Sequence, residues 1–170
     1  MARISLVDLN TANKEVKNEI EKHVADGYRI TNEKLTLLHH LPSFRALELE
    51  SYLLDEQLQK VVGKRAADFY EYAISLENDC VVCSTYFTKL LQKNGIEDFN
   101  SFDFTEQEKE LIAFARAIAN DPKHVPDEIY EPLAKRYTEQ EIVLITTMGV
   151  FMIANNYFND ILQVESELLE

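Results

Sequence analysis

Apolar residues recur at helical spacing along most of this 170-residue chain, and short polar segments separate the periodic stretches. Near the start, Val16, Ile20 and Val24 form one stripe that Gly27 ends, which predicts an opening helix over residues 12–26. Glycine and proline occur only four times each, too rarely for the many tight turns of an all-β protein. The predicted fold class is therefore all-α.

Capping residues and helix-ending residues place the other helices. The predicted helices are one capped by Thr31 or Asn32 and ending at Leu38, one from Pro42 to about Gln59, one from about Lys64 to Glu77, and one capped by Asp79 and ending at Gly95. Two capping boxes, Thr105 with Glu108 and Thr138 with Glu141, each precede an apolar-periodic run. They predict where the last two long helices begin.

One apolar run, from Ile142 to Ala154, has no polar face. It holds about thirteen residues, fewer than the roughly 20 that a membrane-spanning helix needs. We therefore expect this run to be buried in the core or in a subunit interface. No repeat, low-complexity tract or linker interrupts the sequence, so a single domain over residues 1–170 is the simplest organisation.

The net charge of −13 excludes several classes of partner. No block of Lys or Arg is present, so nucleic acid and anionic membrane surfaces would repel the chain. The opening residues lack the charged and apolar regions of a secretory signal, and we expect a cytoplasmic protein. Cysteines are kept reduced in that compartment, which favours redox chemistry or metal binding over a structural disulfide.

Both cysteines of the chain lie in the segment SLENDCVVCSTYF, three positions apart. If Asp79 caps the helix, Cys80 falls in its first turn, where the partial positive charge of the helix N-terminus favours a thiolate. Cys83 then lies one turn further along the same face. The spacing allows the two sulfurs to form and break a disulfide with little movement of the backbone.

Three other interpretations of this CxxC pair compete with a dithiol site on a helical scaffold. In the first, the cysteines are simply two small buried apolar residues; in the second, they are zinc ligands; in the third, they form a thioredoxin-like site. A thioredoxin-like site needs a βαβ context, which a helical chain lacks. A zinc site needs two more ligands, and the four histidines form no suitably spaced pair: His23, His39, His40 and His124. Neither a metal nor a cofactor is predicted.

The cysteine segment, preceded by KRAADFYEYAI, resembles the carboxymuconolactone decarboxylase and alkylhydroperoxidase D-like (AhpD-like) family. The similarity covers most of the chain after about residue 35, including LLHHLPSFRALE, DEIYEPLAKRYTEQEIVLIT and FMIANNYFNDIL. It implies an AhpD-like helical bundle that forms homo-oligomers. In the redox branch of the family, a CxxC pair reduces peroxides or disulfides.

Two positions depart from the family pattern. Redox-active members carry C-x-x-C-x-x-x-H and a glutamate about twelve positions before the first cysteine, and these groups relay a proton to the thiols. Here Phe87 stands in place of the histidine and Asp68 in place of the glutamate. The resemblance therefore implies Cys80, Cys83 and Asp68 as catalytic residues, with weak activity because the relay histidine is missing.

An antiparallel hairpin that turns near Asn78 would place Asp68 level with Phe87, and Tyr72 level with Cys83. A Tyr72 hydroxyl held by Asp68 would then hydrogen-bond Cys83 in place of the lost histidine. The competing interpretation is a tyrosine that packs in the hairpin core.

His39 and His40 are the other candidate bases, because a histidine titrates near neutral pH. The simpler expectation is that one of them faces the core, where a backbone group satisfies it, while the other faces water.

The sequence thus predicts a thiol–disulfide oxidoreductase of the alkylhydroperoxidase-like kind, with Cys80 and Cys83 as its dithiol. Which thiol attacks first stays open. The expected partners are a small peroxide or disulfide substrate, a thiol reductant protein and further copies of the chain. The alternative is a non-catalytic oligomeric scaffold or redox sensor that kept the fold after losing the relay histidine.

Overall fold

A computed structural model of the chain describes residues 2–167, and all regular elements in this range are helices. The α-helices are α1 (Lys14–Ala25), α2 (Asn32–Leu37), α3 (Leu41–Phe44), α4 (Glu50–Val62), α5 (Lys64–Glu77), α6 (Val81–Lys93), α7 (Glu106–Asn120), α8 (Asp127–Arg136) and α9 (Glu139–Leu162). A π-turn (Arg45–Leu49) joins α3 to α4, and a short 3₁₀ turn (Phe99–Ser101) precedes α7. The predicted all-α class is confirmed.

Side-chain caps start several helices where the sequence predicts them. Thr31 accepts a hydrogen bond from the backbone at the start of α2. Both predicted capping boxes are present, Thr105 with Glu108 before α7 and Thr138 with Glu141 before α9. In each box the threonine and the glutamate satisfy each other's backbone N–H groups, which would otherwise lack partners at the helix end.

The helix predicted from Pro42 is present but contains a π-turn that the sequence does not reveal. It begins at Leu41, widens over Arg45–Leu49 and ends at Val62, three residues beyond the predicted end. Gly63 follows with a φ of 87°, a left-handed conformation that glycine adopts without strain. The chain therefore turns directly from α4 into α5.

Helix α5 lies at the centre of the main core, and ten consecutive residues from Ala66 to Ser75 are buried. Phe69 makes edge-to-face contacts with Phe99, Phe102 and Phe104, with ring centroids 5.1–5.5 Å apart. Such aromatic contacts add to the stabilisation that burial of the rings provides. The central position of α5 brings one of its faces beside the cysteines.

A second, smaller apolar cluster packs the N-terminal helices onto α9. Its buried members are Val16, Ile20, Leu37, Leu38, Leu41 and Phe44, and Phe158 of α9 packs against them. This contact fixes α2 near the C-terminal half of α9. The placement matters because α2 carries ionisable residues that face the cysteines.

The predicted apolar run from residue 142 to 154 lies within α9, which extends over 24 residues. In the described part of the chain, α9 is the one helix long and apolar enough to cross a membrane, a property that core helices of soluble proteins share. Ile145, Met148 and Met152 are buried against other helices, whereas Val143 and Val150 are exposed. One face of the run is therefore buried, as expected, and another is open.

Candidate dithiol site

The connection between α5 and α6 differs from the prediction that Asp79 caps the cysteine helix. Asp79 has a φ of 53° and forms the left-handed turn, so Cys80 is the N-cap residue of α6. The Cys80 N–H donates to the Ser75 carbonyl at 3.1 Å, which closes the C-terminus of α5. The predicted cap is wrong because the tight reversal needs a left-handed residue at Asp79, and this conformation excludes an N-cap geometry.

Cys80 is fully buried at the start of α6, with 0% of its surface exposed. A hydrogen bond from the Cys83 thiol, together with the backbone amides of Cys83 and Val82, lowers the pKa of Cys80, although burial and the charge of Asp160 act in the opposite direction. No side-chain capping bond forms at this terminus in the thiol form. A Cys80 thiolate would receive those amide donors, as anions do at helix N-termini.

Cys83 lies one turn further along α6 and opens onto a cavity of about 560 Å³. It is a free thiol with 8% of its surface exposed, and the Asn159 side-chain amide donates to its Sγ at 3.4 Å. The hydrogen bond to Cys80, followed by burial and the charge of Glu33, raises the pKa of Cys83 well above its usual range. The pair therefore favours a thiolate at Cys80 and a thiol at Cys83.

The observed register of the α5–α6 hairpin contradicts the predicted one. The Tyr72 hydroxyl hydrogen-bonds the Thr88 hydroxyl at 2.9 Å, and the Tyr72 ring packs 6.2 Å from the Phe87 ring. Tyr72 therefore lies about one turn beyond Cys83 and does not contact it. The prediction was wrong because it started α6 directly after Asn78, whereas Asp79 and Cys80 form the turn and α6 begins at Val81.

Asp68 lines the same cavity as Cys83, although it is not level with Phe87 in the observed register. The Lys64 ammonium group pairs with its Oδ1 at 3.2 Å. Burial raises the pKa of Asp68, and the charge of Lys64 partly offsets that effect. The catalytic role expected for Asp68 stays a prediction.

His39 and His40 are both exposed, and neither lines the cavity. The His39 Nε2 contacts the Ser5 carbonyl at 2.7 Å, and the His40 Nδ1 contacts the Ser43 hydroxyl at 2.7 Å. The expectation that one of them faces the core is wrong, because this part of the chain lies in the loop that ends α2.

The Asp160 carboxyl group hydrogen-bonds Cys80, and a second acidic group, Glu33 on α2, acts on Cys83 through its charge, which the sequence does not reveal. Burial, followed by the charge of Glu48, raises the pKa of Glu33 to about 8, even though Asn159 hydrogen-bonds the carboxyl group. The Glu33 Oε1 atom is buried without a hydrogen-bond partner. Because Asn159 also contacts Cys83, one amide links a carboxyl that is protonated at neutral pH to the cavity-facing thiol.

A buried ion pair lies beside Glu33 and belongs to the same cavity wall. Lys34 and Glu48 approach to 3.7 Å, and both side chains are almost fully buried. The Lys34 Nζ also donates to the Arg29 carbonyl at 2.7 Å. In the sequence, Glu33 and Lys34 look like ordinary first-turn residues of a short surface helix, and only the packing of α2 against α4 and α9 buries them.

Comparison with known proteins supports the fold. The sequence matches no protein-family model and no curated protein. The structure is similar to the crystal structure of an alkylhydroperoxidase AhpD core, an uncharacterized peroxidase-related protein from Ralstonia eutropha, with a TM-score of 0.74 at 16% identity over 98% of this chain and 93% of that one. A peroxidase-related protein from a Silicibacter species has a TM-score of 0.76 at 12% identity over 98% and 92% of the two chains. The chain therefore has the AhpD-like helical fold.

Proposed function

We propose that this chain with the AhpD-like fold is a thiol–disulfide oxidoreductase that reduces a peroxide or a small disulfide with the Cys80–Cys83 dithiol. The observation that carries the proposal is the geometry of the pair. The two free thiols are hydrogen-bonded to each other, and only Cys83 faces a cavity large enough for a small molecule. The peroxidase-related names of the two similar structures agree with this chemistry.

In the proposed reaction, Cys83 attacks because it is the sulfur that a molecule in the cavity reaches. Its proton passes along the hydrogen bond to the Cys80 thiolate as the new bond to Cys83 forms. With a hydroperoxide ROOH, the O–O bond breaks, ROH leaves and Cys83 becomes a sulfenic acid. Cys80 then displaces water, so two thiols and ROOH give one disulfide, ROH and water. A dithiol reductant restores both thiols.

Glu33 is the group we propose as the proton donor in place of the missing histidine. A leaving alkoxide or thiolate needs a proton, and a carboxyl with a pKa near 8 holds one at neutral pH. The buried, unpartnered Glu33 Oε1 and the shared contact with Asn159 support this role. Substitution by aspartate shortens the side chain and should slow the reaction less than substitution by glutamine, which cannot give up a proton.

A redox sensor is the second candidate, and the buried Phe87 favours it. An apolar ring one turn after Cys83 supplies no proton, and Cys80 is closed to solvent. Such a site would be oxidised once by a peroxide and then reduced slowly. A cytoplasmic location, a thiol reductant protein and a homo-oligomer remain predictions for either function.

Thiol titration combined with a turnover assay distinguishes the two candidates. Reduced protein should lose both thiols with one equivalent of hydroperoxide, and its intact mass should fall by two hydrogen atoms. With excess hydroperoxide and dithiothreitol, an enzyme consumes many equivalents, whereas a sensor consumes one. Cys80→Ser and Cys83→Ser are the controls for turnover. Two intact thiols after treatment, or only links between chains, would contradict both candidates.

A further inference from the structure

We propose that the end of the cavity lined by Asp55, Asp68 and Glu71 binds a protonated amine, so that the preferred substrate of the dithiol is a small disulfide or peroxide carrying an ammonium group. This proposal rests on the proposed function for its redox part. Binding of the amine itself is independent of the thiols.

The three carboxyl groups, which we call the acidic end, come from two helices that pack against each other beside the cavity. Asp55 lies on α4, whereas Asp68 and Glu71 lie on α5, and all three line the cavity. The Gln59 side-chain amide donates to Asp55 Oδ2 at 2.7 Å, and Lys64 pairs with Asp68 at 3.2 Å. Within the described residues, these contacts leave the acidic end with more carboxyls than positive groups.

Glu71 supplies the observation that points to a ligand. The residue is only 7% exposed and lines the cavity, yet its Oε1 atom is buried without a hydrogen-bond partner. Its carboxyl group shares a hydrogen bond with Asp55, and burial followed by the charge of Asp55 raises its pKa well above the usual range. A buried carboxyl oxygen without a partner is costly, and an N–H donor from a ligand would remove that cost.

An organic cation fits this end better than a metal ion does. No group of three or more His, Cys, Asp or Glu side chains in residues 2–167 is arranged to hold a metal. Tyr86 and Phe87 line the same cavity, and burial followed by the charges of all three carboxyls raises the pKa of Tyr86. The tyrosine therefore borders the acidic end, and an aromatic face beside carboxylates suits an ammonium group.

The distance to the thiol favours a short spacer between the ammonium group and the reacting bond. The Tyr72–Thr88 hydrogen bond fixes the register of the antiparallel hairpin, so Glu71 lies roughly level with the position after Thr88 on α6. Cys83 is six residues, or about 9 Å, back along the axis from that level. The hydrogen bond between the ammonium group and the carboxyl, a spacer of two or three carbons and the approach of the sulfur to Cys83 together cover that distance, and a disulfide carrying aminoethyl groups has such a spacer.

A charge series of small disulfides tests the redox part. Reduced wild-type protein is mixed separately with cystamine, bis(2-hydroxyethyl) disulfide and dithiodiglycolate, which carry ammonium, hydroxyl and carboxylate groups. The loss of thiols is timed, and each rate is divided by the rate with free dithiothreitol to remove intrinsic reactivity. In each case Cys83 displaces one thiol from the disulfide and Cys80 displaces the other. We expect normalised rates for cystamine about tenfold above those for the hydroxyl compound.

Two variants distinguish binding of the ammonium group at the acidic end from the general attraction of a negatively charged protein for cations. Glu71→Gln should lower the ratio of cystamine to hydroxyl-compound rates by about tenfold. Glu97→Gln makes the same substitution at an exposed position outside the cavity, where it lowers the general attraction for cations, and it should leave the ratio unchanged. Asp55→Asn is the second test variant should Glu71→Gln fail to fold. Equal effects of Glu71→Gln and Glu97→Gln would overturn the proposal.

Calorimetry tests the amine site without any redox step. A Cys80→Ser, Cys83→Ser protein is titrated with cystamine in two buffers of different ionisation enthalpy. We expect saturable binding with release of protons, because an ammonium group allows the acidic end to ionise, and no binding of bis(2-hydroxyethyl) disulfide. If no disulfide or peroxide oxidises the wild type, the proposed function is wrong, and this titration alone tests whether the acidic end binds an amine. Absence of cystamine binding at millimolar concentration would overturn the amine site, whatever the redox result.

Discussion

Helix α5 presents Phe69 and Ala73 to an apolar core on one face and Asp68, Glu71 and Ser75 to polar surroundings on another. Both faces are buried, but only the apolar face gains stability by burial alone. On the polar face, each ionisable group needs a partner or must stay neutral. A buried polar face on a central helix is costly, and it coincides here with the cavity that reaches Cys83. The contrast indicates that the apolar face holds the fold while the polar face serves the chemistry.

The largest effect of a single substitution on stability should come from the apolar face. Phe69→Ala removes a ring that contacts three others and should lower the free energy of unfolding by about 3–5 kcal/mol, measured by urea denaturation. Ser75→Ala, on the polar face, removes the hydrogen bond to the Glu71 carbonyl and the longer one from the Asn156 amide, and it should cost about 1–2 kcal/mol. Equal losses for the two variants would remove the distinction between the faces.

The sequence predicts the apolar face better than the polar one, and the reason is physical. Helical period and capping boxes are local patterns, so α7 and α9 begin where Thr105 and Thr138 predict. The role of Glu33 depends on how α2 packs against distant helices, and no local pattern records that. Asp79 was misassigned because aspartate suits both an N-cap and a left-handed turn. The predicted register of the α5–α6 hairpin is wrong for the same reason.

The second prediction concerns the pH dependence of stability at Glu33. In the folded chain the pKa of Glu33 is about 8, whereas its ordinary value is 4.5. The unfolded chain therefore loses this proton first, and stability falls as the pH rises from about 4.5 to about 8. Glu33→Gln should not show this fall. The free energy of unfolding of the variant minus that of the wild type should therefore be about 2–4 kcal/mol larger at pH 8 than at pH 5.

Urea unfolding of wild type and variant at both pH values measures this difference. Glu97→Gln, the same substitution at an exposed position, serves as the control and should follow the wild type at each pH. Parallel pH curves for wild type and Glu33→Gln would show that Glu33 ionises normally, and the proposed proton donor would then be lost.

The third prediction places a titratable group on the cavity side of α6. Phe87→His puts an imidazole one turn after Cys83 and should raise peroxide turnover by part of the 10²–10⁴-fold that general acid–base assistance typically provides. Phe87 is buried, so the polar ring should cost about 1–3 kcal/mol in stability, and activity is compared on folded protein. Phe87→Asn, which is polar but does not titrate, should give no gain.

A Cys80→Ser, Phe87→His double variant should be inactive, since the gain requires the dithiol. If Phe87→His folds, gives no gain, and the wild type already turns over peroxide rapidly, then another group provides the proton. Glu33 is the first residue to substitute in that case.

The smallest effect on the stability of the single chain should come from the open face of α9. Its exposed apolar side chains recur at helical spacing: Val143, Val150, Tyr157 and Ile161. We propose that this stripe joins copies of the chain, because an apolar stripe open to water is typical of an interface. Val150→Glu should change the free energy of unfolding of the monomer by less than about 0.5 kcal/mol and yet reduce the assembly. A monomer mass near 19.7 kDa for the wild type by light scattering would contradict the assembly.

Trapping the oxidised sulfur tests most directly whether the cavity face carries the chemistry through Cys83. Cys80→Ser and Cys83→Ser proteins are each treated with hydroperoxide in the presence of dimedone, which captures a sulfenic acid, and the adduct is located by mass spectrometry. The cavity opens onto Cys83, whereas Cys80 is fully buried. We therefore predict an adduct on Cys83 in the Cys80→Ser protein and none on Cys80 in the Cys83→Ser protein. A faster or exclusive adduct on Cys80 would contradict Cys83 as the attacking thiol.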